Sequence, residues 1–141
     1  MEKLHGATLI QQLSNLSLQK RAICLMTNFH EQSSPIFRKL NIIKLDDLIS
    51  YHIAVFMYRF NNSLLPSAFD AFFSKVSEIH HYNTRSAAKQ SYYLPKARTN
   101  YGKFNIRFQG PKIWNSIDDK IKAVSRSQFK SKLKQHYLSL Y

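Results

Sequence analysis

The stretch LDDLISYHIAVFMYRFN, residues 45–61, decides the fold of this chain. Its apolar residues recur every three or four positions, which places their side chains on one face of an α-helix. Asp46 and Asp47 stand in the first turn, where carboxylates interact favourably with the helix dipole. Asn61 and Pro66 mark the end of the pattern. We therefore predict a helix over residues 45–61, with an apolar face formed by Leu45, Leu48, Ile49, His52, Phe56 and Phe60.

The same periodicity predicts further helices on both sides of this stretch. They cover residues 8–29, 35–40 and 67–73, and the last one begins near Ser125. Pro35 suits the first turn of a helix, because its missing N–H has no partner there in any case. The whole chain has only three glycines and four prolines, which also favours helices over many short strands.

The helical period disappears between residues 80 and 109. Phe104, Ile106 and Phe108 alternate with polar residues, which is typical of a strand with one buried face. Residues 90–94 are a candidate partner strand, and Gly110-Pro111 are expected to end the segment. A short helix holding Trp114 should follow. The predicted class is mostly α with a small β element (α+β): a helical N-terminal half, a hairpin-like region near residues 90–109 and a C-terminal helix.

Positive charge is concentrated in the second half of the chain. There are 21 Lys and Arg residues against eight Asp and Glu, a formal net charge of +13. Residues 1–78 carry +2, whereas residues 79–141 carry 13 basic and two acidic residues. We predict a helical support region over 1–78 and a basic C-terminal region over 79–141, within one fragmentary domain. Such a field attracts polyanions, and nucleic acid is the partner we expect.

Cations and aromatic rings alternate in the basic region. Cations neutralise phosphates, and exposed rings stack on unpaired bases. The alternative is that the rings fill a small core, an interpretation that spacing and apolarity favour for Phe104, Phe108 and Trp114. The cations near residue 130 could equally be a solvated helix face. The predicted nucleic-acid contacts are Arg85, Lys89, Arg98, Lys103, Arg107, Arg126, Lys130 and Lys134.

The sequence gives little support for a catalytic motif. The three glycines are too far apart for a phosphate-binding loop, and Cys24 has no partner at a metal-ligand spacing. Asp46-Asp47 resembles the paired aspartates that hold Mg²⁺ in polymerases, but a helix start explains the pair better. We expect no metal, no cofactor and no small-molecule substrate. The longest apolar run, residues 53–58, is too short to span a bilayer, and no membrane partner is expected.

Three motifs occur in order: YNTRS at 82–86, RTNYG at 98–102 and FQGPKIWNS at 108–116. Together they resemble the C-terminal region of reverse-transcriptase proteins from non-long-terminal-repeat retrotransposons of the jockey-like LINE type. The resemblance implies a non-catalytic fragment, because the polymerase core would hold the catalytic residues. It further implies an accessory role in holding template RNA or target DNA. The motif residues carried over as structural are Asn83, Thr84, Gly102, Gly110, Pro111, Trp114 and Asn115.

Two alternatives remain beside nucleic-acid binding. The chain could be a structural piece whose apolar faces, over residues 9–29 and 45–60, dock on a polymerase core. It could also be a transposon relic with no function of its own. A stand-alone enzyme is the least favoured interpretation. A transposon origin implies an intracellular location, in the cytoplasm or the nucleus.

Overall fold

The computed structural model describes residues 17–26, 33–79, 82, 84 and 89–141, and helices dominate them. This confirms the mostly α-helical class. The helices are α1 (17–26), α2 (Ser33–Lys39), α3 (Leu45–Asn61), α4 (Val76–Ile79), α5 (Asn100–Lys103), α6 (Ile106–Ser116), α7 (Asp119–Lys122) and α8 (Arg126–Ser139), with a 3-10 helix at Ser67–Phe72. The predicted helix at 8–29 lies partly outside the described residues.

Helix α3 has the bounds that the sequence pattern predicts. Asp46 and Asp47 lie in its first turn, which confirms the helix-start interpretation of this pair. The Leu45 N–H donates to the Gln19 Oε1 atom at 2.9 Å, so a side chain from α1 satisfies one of the free donors at the helix start. The Tyr141 hydroxyl donates to Asp47 Oδ2 at 2.8 Å. The carboxylates therefore stabilise a helix terminus.

The chain forms two compact units, residues 1–51 with 127–141 and residues 52–126. Their boundaries do not coincide with the charge-based division at residues 78 and 79. In the first unit, Ile23, Ile36 and Phe37 form an apolar cluster against which Tyr141 packs. Helix α8 buries Phe129 and Leu133, which are four positions apart and share one face, and also buries Leu138.

An aromatic cluster organises the second unit. Phe73 is its centre, with ring centroids 4.9 Å from Phe60 and 6.2 Å from Tyr92, both at the tilted or edge-on angles that aromatic pairs prefer. An antiparallel bridge pairs Lys75 with Tyr92 and fixes the two chain segments that carry these rings. The members of the aromatic cluster are Phe56, Phe60, Phe69, Phe72, Phe73 and Tyr92.

The strand predicted over residues 104–109 is wrong, because α6 begins at Ile106. Asn105 is its N-cap, and the Arg107 N–H donates to Asn105 Oδ1 at 2.9 Å. An Asn in this position satisfies a donor that the first helical turn leaves free. The suggested partner, residues 90–94, begins in a turn at Gln90 and forms a single bridge at Tyr92, which pairs with Lys75 instead. The apolar alternation was therefore too short to separate a strand from a helix start.

Gly110 and Pro111 lie inside α6 and do not end the segment, contrary to the prediction. A Cβ atom on Gly110 would approach Met57 Sδ to 2.8 Å and the Phe73 ring to 3.0 Å. Glycine is therefore the residue that lets the helix backbone come this close to the aromatic cluster. Pro111 is fully buried, and its missing N–H leaves the Arg107 carbonyl without its usual intrahelical partner. Tight packing here outweighs local helix propensity.

Candidate nucleic-acid interface

Two large aromatic side chains are exposed at α5, one within the helix and one at its C-terminal end. Tyr101 is 89% exposed and Phe104 is 57% exposed. The core interpretation of Phe104 is therefore wrong, whereas Trp114, at 4%, does lie in the core and Phe108 is half-buried. Neither exposed ring contacts another ring in the part of the chain that the structure describes. We call the exposed residues Arg98, Tyr101, Lys103, Phe104 and Arg107 the platform.

The two platform rings lie on one short helical turn. The Phe104 N–H donates to the Tyr101 carbonyl at 3.1 Å, so the two rings are one helical turn apart. Residues three apart in a helical turn point to the same side, with Cβ atoms about 5–6 Å apart. The rings can therefore contact neighbouring bases of one strand, which is how stacking platforms hold single-stranded nucleic acid.

Three side-chain hydrogen bonds fix the backbone around these rings. Thr99 Oγ1 accepts from the Gly102 N–H at 3.1 Å, and Asn105 Oδ1 accepts from the Arg107 N–H. Gln109 Nε2 donates to the Lys103 carbonyl at 2.6 Å, which closes the corner between α5 and α6. A backbone fixed before binding loses less conformational entropy when a ligand arrives.

Arg107 is a platform cation that packs on an aromatic ring. Its guanidinium carbon lies 4.6 Å from the centre of the Phe72 ring, a distance suited to cation–π stacking. Within the described residues its side chain makes no ion pair, and the residue is exposed. A planar guanidinium held by a ring is suited to bidentate contact with phosphate.

The other predicted contacts are distributed over the chain. Lys89 is exposed in a turn, and its charge acts on Asp119. Arg126 and Lys130 are exposed on α8, while Lys134 on the same helix is half-buried. Arg85 lies outside the described residues. Of the described predicted contacts, Arg98, Lys103 and Arg107 are the ones that lie within three residues of an exposed platform ring in the chain.

Acidic groups offer little competition for these cations. Asp119 Oδ1 accepts from Lys122 Nζ at 2.8 Å. This hydrogen bond, together with the charges of Lys122 and Lys89, lowers the pKa of Asp119. Arg98, Arg126 and Lys130 form no ion pair within the described residues. A phosphate approaching these side chains therefore meets cations that no carboxylate has already neutralised.

The motif residues hold the fold and stay away from the platform surface, with one exception. Trp114 packs near the Tyr58 ring at 6.5 Å, and Asn115 exchanges two hydrogen bonds with the Tyr92 backbone, at 3.0 and 2.8 Å. Gly110 and Pro111 form the close helix contact described above. Gly102, the exception, sits between the two platform rings. Thr84 is exposed, and Asn83 lies outside the described residues.

Sequence reasoning missed the residues that support the platform. Phe72, which lies under Arg107, is distant in sequence and gave no signal. Asn105 did give one, because an Asn followed by apolar residues at helical spacing is a common helix start. The strand-like alternation around Asn105 led to the prediction of a strand in place of this helix start.

No protein-family model, no curated protein and no solved structure matches this chain. Across the described residues, no three His, Cys, Asp or Glu side chains gather as metal ligands would. The described helices also include none that is both long and apolar enough to cross a membrane.

Proposed function

We propose that the chain is a nucleic-acid-binding accessory region, of the kind found at the C-terminal end of LINE-type retrotransposon reverse transcriptases. It holds an unpaired stretch of template RNA or target DNA. The observation that carries the proposal is the exposure of Tyr101 and Phe104 between Arg98 and Arg107, which form no ion pair within the described residues. Large apolar groups exposed at a charged surface are informative, since hydration of such groups is unfavourable without a ligand.

The platform chemistry favours a single strand over a duplex. Stacked bases in a duplex do not offer their faces to a side chain, whereas an unpaired strand does. Arg98, Lys103 and Arg107 lie on both sides of the rings in sequence and supply the phosphate contacts. The proposal therefore predicts strong salt dependence combined with a preference for unpaired nucleotides.

The first experiment measures binding of the full chain to fluorescent single-stranded RNA, single-stranded DNA and duplex DNA at several salt concentrations. We expect single strands to bind more tightly, with a clear negative slope of log affinity against log salt. Arg98→Ala and Arg107→Ala should each reduce the slope by about 0.7, which is the contribution of one phosphate contact to a single strand. Arg38→Ala removes an exposed cation on α2 and is the matched control. A slope near zero would contradict the proposal.

The second experiment tests stacking separately from charge. Tyr101→Ala and Phe104→Ala should each weaken single-strand binding by about 1–3 kcal/mol without changing the salt slope. Tyr101→Phe and Phe104→Tyr keep a ring and should bind almost as well as the unchanged chain. Equal losses in the alanine and the ring-conserving variants would argue against stacking.

Retrotransposon origin has its own test in the encoding DNA. An intact or decayed polymerase reading frame directly upstream of the Met1 codon would support it. Unrelated sequence at that place would contradict the origin and leave the binding experiments unaffected.

A docking function is the second candidate, and one observation favours it. Leu18, Leu25 and Met26 on α1 are 59%, 82% and 82% exposed, so part of the predicted apolar face is not buried within the chain. The apolar face predicted for α3 gives weaker support. Ile49 and His52 are exposed, contrary to the prediction, whereas Leu45, Leu48, Phe56 and Phe60 are half-buried. The residues that α3 buries are Ala54, Met57 and Tyr58, which the prediction did not include. Replacing Leu18, Leu25 and Met26 with serine should reduce self-association in light scattering while nucleic-acid affinity stays unchanged. A monomeric unchanged chain would remove the basis for this candidate.

A further inference from the structure

A cleft of about 460 Å³ lies within the second unit, in the size range of small-ligand sites. Its lining combines side-chain amides, ammonium groups, one carboxylate and the chain's single tryptophan. None of the five platform residues lines it. The residues on which the argument depends are Asn61, Lys89, Gln90, Trp114, Asp119 and Lys122.

The walls of the cleft are fixed by hydrogen bonds that leave ligand-binding atoms available. Asn115 is tied to the Tyr92 backbone, and the Tyr92 hydroxyl donates to Asn61 Oδ1 at 3.0 Å. The Asn61 NH₂ group makes no hydrogen bond within the described residues, and neither does the Gln90 side chain. Gln90 also has a φ of 51°, a left-handed conformation that such residues rarely adopt and that often marks ligand sites.

The charges of the cleft favour an anion. Lys122 lies over the Trp114 ring, with its Nζ atom 5.7 Å from the ring centre, and donates to Asp119. Lys89 acts on the same carboxylate, so two ammonium groups share one negative charge. One positive charge remains for a ligand, and Lys89 is exposed enough to turn towards it.

We propose that this cleft binds a single nucleoside monophosphate unit, either free or as part of a strand. Lys89 contacts the phosphate, while the Asn61 and Gln90 amides, which both donate and accept hydrogen bonds, contact the base edge. The site goes beyond the proposed function, because it needs neither stacking on the platform nor several phosphates. Asp119 competes with the ligand phosphate for the two lysines.

Trp114 makes the proposal directly measurable. Because it is the chain's only tryptophan and lines the cleft, its fluorescence is sensitive to a ligand that binds there. Adenosine and uridine 5′-monophosphate should change it in a saturable way, and at least one should bind about tenfold more tightly than ribose 5-phosphate or inorganic phosphate, since those lack the base contacts. Nucleotides that bind no better than inorganic phosphate would overturn the proposal.

Two charge variants test the assigned contacts. Lys89→Gln should weaken nucleotide binding about tenfold, and Lys132→Gln, which removes an exposed lysine on α8, should not. Asp119→Asn should strengthen binding about two- to fivefold, as removal of a weakly screened surface charge does. Unchanged affinity in Lys89→Gln, or weaker binding in Asp119→Asn, would overturn the assignment.

Further measurements distinguish the cleft from the platform, and a free nucleotide from a nucleotide within a strand. In the Tyr101→Ala/Phe104→Ala chain, the tryptophan response to mononucleotides should persist, and its loss would overturn an independent site. If a 5′-phosphorylated oligonucleotide changes the tryptophan fluorescence of this double variant as strongly as a mononucleotide does, strand ends enter the cleft. A response to mononucleotides alone would assign the cleft to free nucleotides.

Discussion

The aromatic cluster and the platform have similar residues and opposite surroundings. In the cluster, Phe73 contacts several rings and is 8% exposed. In the platform, Phe104 has no ring partner among the described residues and is 57% exposed. The cluster rings come from three segments that converge, whereas the platform rings lie on one turn and are exposed. Convergence of segments, and not aromatic content, decides whether a ring stabilises the fold or faces a ligand.

The largest expected effect comes from making the same substitution in both regions. Phe73→Ala should lower the free energy of unfolding by about 3–5 kcal/mol, because it leaves a cavity among packed rings. Phe104→Ala should change it by less than about 0.5 kcal/mol. Urea unfolding followed by circular dichroism measures both values. Similar losses would mean that the two regions do not differ as described.

Asn115→Ala should have the next largest effect, about 2 kcal/mol. The substitution leaves the buried Tyr92 backbone N–H and carbonyl without their partners. Asn62→Ala is the control, since Asn62 is exposed and, among the described residues, its side chain bonds only to the Tyr58 carbonyl one turn earlier. That variant should lose no more than about 0.5 kcal/mol. Equal losses in the two variants would show that the hydrogen bonds between Asn115 and Tyr92 do not stabilise the aromatic cluster.

Glycine-to-alanine substitutions sharpen the same comparison. Gly110→Ala should destabilise by about 1–2 kcal/mol, because the new Cβ meets Met57 and the Phe73 ring below ordinary contact distance. Gly102→Ala places a Cβ no closer than 3.4 Å to its neighbours and should be neutral or slightly stabilising. Thermal unfolding of the two variants provides the test, and a reversed order would contradict the close packing at Gly110.

The smallest expected effect concerns pH. Burial, with a lesser contribution from the charge of Glu78, raises the pKa of Tyr92 to about 12. Because the folded chain holds this proton more tightly than the unfolded chain, the associated stability is complete below pH 10 and is lost as pH rises towards 12. The loss should be about 1–2 kcal/mol. Tyr92→Phe should show a shallower decline over this window, and an equal decline would exclude Tyr92 as the cause.

The sequence predicted the long helix well and the middle of the chain poorly. Residues 45–61 repeat the helical period over almost five turns, so local information suffices. Phe104, Ile106 and Phe108 give only three alternating positions, which suit a strand or a helix start equally. The candidate site was likewise predictable only in part. The excess of cations after residue 79 is visible in the sequence, whereas the exposure of Tyr101 and the position of Phe72 under Arg107 are not.

The sequence alone determined the helical class, the bounds of α3 and the charge of the C-terminal region, because periodicity and composition are local properties. Only the tertiary structure decided that Gly110-Pro111 continue a helix and that Phe73 and Phe104 have different environments. Those outcomes depend on which distant segments approach each residue. A contact such as Gly110 with Met57 joins positions far apart in the chain, and no local pattern encodes its distance.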